Sequence, residues 1–164
     1  MSQAAPRPPV AITQQRDVNQ LQSVLLAALP SLGSVAREIV DRLADCHGEI
    51  GCADRFARRV GLRNRHCLSR LLAYEGLPQI EELSAWIKTL ASLAQWESTR
   101  LSLCRQALQA QREPGTYYRT VQRATGMYWR DVRALGMTHV IVKFVERCRA
   151  LDASQSEGGA QASA

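Results

Sequence analysis

Lysine is almost missing from this chain. Of its 21 basic residues only Lys88 and Lys143 are lysine, so the formal charge of +6 and the pI near 9.4 rest on guanidinium groups. Arginine keeps its charge at any ordinary pH and grips phosphates and guanine edges through paired N–H donors. A GC-rich genome would raise arginine in any protein, so local clustering carries more weight than the total. Cysteine pairing motifs are missing as well. The five cysteines (46, 52, 67, 104 and 148) contain no Cys-x-x-Cys, and their odd number excludes a complete disulfide framework. Together with the lack of a recognisable signal peptide, this predicts a reducing compartment, the cytoplasm, with a nucleoid association suited to a basic protein. Long apolar runs are also lacking. The longest, residues 24–29, and the run 140–142 are far below the ~20 residues that span a bilayer, so no membrane partner is expected. Finally there is no Gly-rich phosphate loop, no Gly-x-Ser-x-Gly and no histidine-flanked carboxylate pair, which predicts a non-enzyme without a cofactor.

Residues 52–76, CADRFARRVGLRNRHCLSRLLAYEG, organise the rest. Phe56, Ala57 and Val60 give a first short helix an apolar face, Gly61 supplies the permissive backbone of a tight turn, and Asn64 can cap a second helix. Leu68, Leu71 and Leu72 then point inward and leave Arg65, His66, Ser69 and Arg70 outside. That is a helix-turn-helix. Six arginines (55, 58, 59, 63, 65 and 70) stand against two acids (Asp54 and Glu75) in this stretch, a local excess that suits a polyanion.

In chain order, residues 1–16 are rich in Pro, Gln, Ser and Ala and read as a flexible arm. Residues 17–47 carry two N-terminal helices: one with Leu21, Val24, Leu25, Ala28 and Leu29 on a stripe ending before Pro30, and one capped by Ser31 or Ser34 with Val35, Ile39 and Leu43 inward. The first helix-turn-helix fills 48–78. A long linker helix over 79–97 follows, with Ile80, Leu83, Ile87, Leu90 and Ala94 at three- and four-residue steps. Residues 98–150 hold a second helix-turn-helix and the closing helices, in which Val140, Ile141, Phe144, Val145 and Cys148 form a buried face. Residues 151–164 are Ala, Ser, Gln and Gly and read as a disordered tail. The expected fold is all-α: two helix-turn-helix subdomains joined by a long linker helix, with N-terminal helices.

The first copy, FARRVGLRNRHCLSRLLAYEG, and the second, ending YYRTVQRATGMYWRDVR, resemble the DNA-binding domain of the bacterial AraC/XylS transcription regulators over about Ile39 to Arg133. Thr125, Gly126, Trp129 and Arg133 fall where that family closes its second unit, and the closing glycines Gly76 and Gly126 lie 126 − 76 = 50 residues apart. The second turn departs from the pattern, with AQREPG standing where a Gly-Phe turn and a small polar run are usual. The resemblance implies a transcription regulator that binds double-stranded DNA as a monomer through both units.

Two recognition helices on one rigid linker can enter successive major grooves one duplex turn apart, roughly 34 Å. Arg63, Arg65, His66, Ser69 and Arg70 are the candidates for the first groove. Thr116, Tyr117, Arg119, Thr120 and Arg123 are those for the second, with Tyr118 and Val121 packed inward. Arg58, Arg59 and Arg112 are assigned to phosphates, which position a protein without specifying sequence. The plain alternative for each arginine is a solvated charge or an ion pair to Glu75, Glu113 or Asp131. Cys46, His47, Cys52, His66 and Cys67 fit no standard zinc spacing, so no metal is assigned. A competing class is a helical protein-interaction module with a partner such as RNA polymerase, in which the apolar N-terminal helix would offer a homodimer or partner surface.

Overall fold

A computed structural model describes residues 10–160, with side chains for 18–154. Those residues form eight helices and no strand: α1 (Val10–Ala28), α2 (Ser34–Asp45), α3 (Ala53–Arg59), α4 (Arg65–Tyr74), α5 (Ile80–Thr99), α6 (Leu103–Gln109), α7 (Pro114–Thr125) and α8 (Trp129–Ala160). The all-α expectation holds. No described helix is long and apolar enough to cross a membrane.

Helix α5 is the axis on which everything else is hung. Its sequence places Ile80, Leu83, Ala85, Trp86, Ile87, Leu90, Ala91 and Leu93 inside, so apolar contact runs most of the way round rather than along one stripe. A helix of that kind must be wrapped by others, and α5 packs against α1, α2, α4, α6, α7 and α8. Thr89 is buried among them and returns its hydroxyl to the carbonyl of Ala85 at 2.8 Å. Its polar atom therefore costs little inside the core.

Helices α1 and α2 cover one side. Val18, Leu21, Leu25 and Leu29 of α1 are buried in the common core, and Gln22 donates to the Asp45 carboxylate at 2.8 Å and the Asp41 carbonyl at 3.3 Å. Most of the apolar stripe of this helix is thus packed within the chain, while Val24 of the same stripe stays exposed. Neither Ser31 nor Ser34 caps α2. Gly33 holds the cap position and donates its N–H to Glu75 Oε2 at 2.8 Å, so the end of α4 supplies the acceptor from across the unit.

Two boundaries move outward relative to the sequence reading. Helix α1 starts at Val10, inside the stretch expected as an arm, and α8 runs to Ala160, inside the stretch expected as a tail. Residues 1–9 and 161–164, the remainder of those two expectations, lie outside the described residues. Composition read both stretches as too polar to be ordered, yet each continues a helix already nucleated by packing, and adding a residue to an existing helix is far cheaper than starting one. Helix α8 is interrupted at Gly136 (φ 78°, ψ 175°), which splits a short segment carrying Trp129 and Val132 from a long one carrying Val140, Ile141, Phe144 and Cys148. The long segment is fastened to α5 by Arg147, whose guanidinium meets both oxygens of Glu82 at 2.7 and 3.1 Å.

The loop after α2 is set directly against α5. Gly48 has φ +76°, its carbonyl accepts from Ser84 Oγ at 2.6 Å, and a Cβ there would sit 2.5 Å from the Ser84 carbonyl oxygen and 2.7 Å from the Lys88 nitrogen. Gly48→Ala is therefore expected to lose about 2–4 kcal/mol in a urea melt, from the left-handed backbone and the forced separation together. A cost below about 1 kcal/mol would mean that the loop does not press on α5 in this way.

Candidate nucleic-acid interface

The first unit is held together by backbone chemistry that leaves its charges untouched. Helix α3 ends at Val60, and Gly61 (φ +77°) reverses the chain so that Leu62 N–H reaches the Ala57 carbonyl at 2.9 Å. This is the glycine-terminated helix end expected of a tight turn. Asn64 caps α4 by accepting from Cys67 N–H at 3.0 Å. Asp54, in the first turn of α3, accepts from Arg65 N–H at 2.9 Å. Phe56, Ala57 and Val60 of the first helix and its turn lock against Leu68 and Leu72 of the second in the core, with Leu71 half-buried.

These bonds decide the electrostatics. The two acids of the stretch, Asp54 and Glu75, are both engaged by backbone N–H groups, of Arg65 and of Gly33. Among the described residues, none of Arg55, Arg58, Arg59, Arg63, Arg65 and Arg70 forms an ion pair, and all six are exposed. His66 is exposed beside them and Ser69 is half-buried. Six guanidinium groups on α3, its turn and α4, none of them in an ion pair among the described residues and outnumbering the two carboxylates, repel one another, a cost that a polyanion would convert to attraction.

The second unit repeats the backbone and not the charge pattern. Ala110 ends α6, Gln111 takes φ +54°, and Arg112 N–H reaches the Ala107 carbonyl at 2.8 Å. Ala57, Gly61 and Leu62 are thus matched by Ala107, Gln111 and Arg112, with a non-glycine residue in the left-handed position. Helix α7 begins at Pro114, inside the AQREPG stretch read as the second turn. Pro114 occupies its first position, and the Glu113 carboxylate caps it by accepting from Gly115 N–H at 2.7 Å and Thr116 N–H at 2.9 Å. Those backbone donors, Gly115 first, hold the Glu113 carboxyl below the usual carboxylate range.

Most of the second set of candidates is engaged by this cap or by the core. Thr116 Oγ1 and Arg119 Nη2 both donate to Glu113, at 2.9 and 3.2 Å, so for Arg119 the ion-pair alternative is the one realised. Thr120 is half-buried and gives its hydroxyl to the Thr116 carbonyl. Arg112 faces Glu49 at 3.6 Å. Of the two arginines in the set, Arg123 is exposed with no ion pair among the described residues.

The tyrosine assignment is reversed. Tyr117, expected to face the groove, is 9% exposed, and Tyr118, expected in the core, is 42% exposed. Both registers are legal beside Val121, since three- and four-residue steps share a helix face. The observed face is Tyr117, Val121 and Thr125, and Lys88 of α5 sits over the Tyr117 ring at 5.2 Å. Tyr118, Tyr128 and Arg130 instead border a shallow hollow with Trp129 and Arg133. Trp96 is half-buried and lies against the guanidinium groups of Arg100 and Arg133, at 4.6 and 5.3 Å from its centroid. No signal in the sequence marked this aromatic and arginine surface beyond the one-residue choice between the tyrosines.

Of the cysteines, Cys52 and Cys67 are exposed, Cys46 is half-buried and Cys148 is buried. Backbone N–H groups, that of Arg55 first, lower the Cys52 thiol, whereas burial pushes Cys148 up to about 12. Among the described residues no group of three or more His, Cys, Asp or Glu side chains is gathered as metal ligands would be. No protein-family model, no curated protein and no solved structure matches the chain.

Proposed function

We propose that the chain is a sequence-specific DNA-binding transcription regulator, of the kind its motifs resemble in the AraC/XylS family, in which α4 enters the major groove and reads bases with Arg65 and Arg70. The observation that carries this reading is the set of six exposed arginines on α3, the turn after it and α4, none in an ion pair among the described residues, whose neighbouring acids are both engaged by backbone. Arg63 lies in the turn just before α4, His66 and Ser69 lie on α4 itself, and Arg58 and Arg59 flank it as phosphate contacts.

The two units then have unequal roles. Arg119 is tied to Glu113 and Tyr117 is buried, so α7 offers Arg123 to a backbone phosphate rather than a row of base-reading groups. The exposed Tyr118, Tyr128 and Leu135 favour a protein contact there, of the type a regulator makes with RNA polymerase.

The test is a selection from random duplexes at several salt concentrations, with sequencing of the bound fraction. The expected result is one dominant sequence block and an affinity that falls steeply with salt, by roughly 0.9 log unit per log unit of salt for each phosphate neutralised. Two blocks one duplex turn apart would show that α7 reads bases too. Salt-insensitive retention with no enriched block would sink the DNA reading in favour of a protein-interaction module.

A further inference from the structure

On the reading that the second unit contacts protein, we propose that the hollow between α7 and α8 docks an acidic peptide segment of the partner. One apolar side chain of the segment sits on the aromatic rings, and neighbouring carboxylates are held by the arginines. The hollow, of about 500 Å³, is bounded by Tyr118 of α7, by Tyr128 in the connection that follows, and by Trp129, Arg130 and Arg133 of α8.

Charge selects the partner. Arg133 is half-buried, and among the described residues its guanidinium takes part in no ion pair or hydrogen bond. It lies over the Trp96 ring at 5.3 Å, and an indole face offsets only part of the cost of withdrawing a charge from water. Its Nε is sealed within the fold, so the terminal nitrogens are the ones that meet an anion, and paired N–H donors suit a carboxylate. Arg100 lies over the same ring at 4.6 Å and is exposed, again with no ion pair among the described residues. Arg130 gives Nε to Asp131 at 3.2 Å, and its side chain is 80% exposed, which leaves its terminal nitrogens to a partner. The residues that line the hollow include no carboxylate of their own.

Composition then favours a peptide over a phosphate strand. Tyr128 is 64% exposed and Tyr118 stands out beside it, next to a buried Trp129. Tyrosine, tryptophan and arginine are the residue types that anchor protein interfaces. Exposed rings gain from an apolar side chain that covers them. A duplex backbone brings phosphates without such a group, whereas an acidic peptide brings both.

The experiment is a selection of short random peptides on the full chain without DNA, followed by anisotropy of the enriched peptides carrying a fluorescent label. The enriched sequences should set an apolar residue among Asp and Glu, and their affinity should fall as salt is raised. Tyr128→Ala and Arg130→Glu, both at exposed positions, should each weaken binding by roughly tenfold or more with the circular dichroism unchanged. Arg65→Ala combined with Arg70→Ala should leave peptide affinity at the parental value. The proposal is overturned if no peptide is enriched, or if Asn and Gln replace Asp and Glu in the peptide without loss. It is overturned equally if the Arg65 and Arg70 changes weaken binding as much as Tyr128→Ala, which would place the peptide on the first unit. Tighter binding of single-stranded oligothymidine, lost on Tyr128→Ala, would assign the hollow to bases instead. Duplex binding is read separately on the same proteins, so either result can fail while the other stands.

Discussion

Replacing Arg65 and Arg70 together by alanine is expected to weaken specific DNA binding by about 2–6 kcal/mol, at about 1–3 kcal/mol for each base-reading side chain. The two act through one helix, so the combined loss is measured as a double-mutant cycle rather than assumed to be a sum. The parent and variant should converge on random DNA at low salt, because Arg55, Arg58, Arg59 and Arg63 keep their unpaired charges. Stability should change little or rise slightly, since neither side chain forms an ion pair among the described residues and both repel their neighbours. Anisotropy on the selected duplex and on a scrambled one checks this. Equal losses on both would mean that Arg65 and Arg70 touch phosphates and that bases are read elsewhere; no loss on either would remove α4 from the interface.

Phe144→Ala is expected to cost about 3–5 kcal/mol of stability, the range for emptying a large aromatic site in a packed core. Phe144 is fully buried on the long segment of α8, and its ring lies 5.6 Å from that of Trp86 on α5 at an interplanar angle of 44°. It joins the last helix to the axial one. A domain of this size has only about 5–15 kcal/mol in total, so the melting temperature should fall by roughly 10 °C or more. The folded fraction should still bind DNA with near-parental affinity, because α3 and α4 are closed by their own contacts among Phe56, Ala57, Leu68 and Leu72. Urea melts followed by tryptophan fluorescence, beside anisotropy under native conditions, separate the two effects. A cost below about 1 kcal/mol would mean that α8 does not close the core in this arrangement.

The sequence by itself determined the features that rest on local physical chemistry. Periodicity placed the helices, because apolar residues at three- and four-residue steps share one side of a helix and of no other regular element. Gly61 and Asn64 marked the first turn, since a left-handed residue and a short side chain that caps a helix each have strong preferences. The arginine cluster of 55, 58, 59, 63, 65 and 70 was countable without coordinates. The all-α class followed from these alone.

Only the tertiary structure decided matters in which several local answers were equally good. Tyr117 and Tyr118 are both one helical step from Val121, and the choice fell to the rotation of α7 fixed by Glu113, by Pro114 and by Lys88 above the Tyr117 ring. Gln111 adopts a left-handed backbone that its residue type does not favour, because the neighbouring helices hold the turn in the form that Gly61 takes freely. The same holds for charge. Every acid in the chain was visible as a candidate counter-ion, but which arginines stay unpaired depends on where each carboxylate finds a donor. Asp54 and Glu75 meet backbone N–H groups brought from other helices, whereas Glu113 holds Arg119 and Glu49 holds Lys88. Periodicity is a property of neighbours along the chain; the pairing of charges is a property of neighbours in space, and only the packing around α5 sets it.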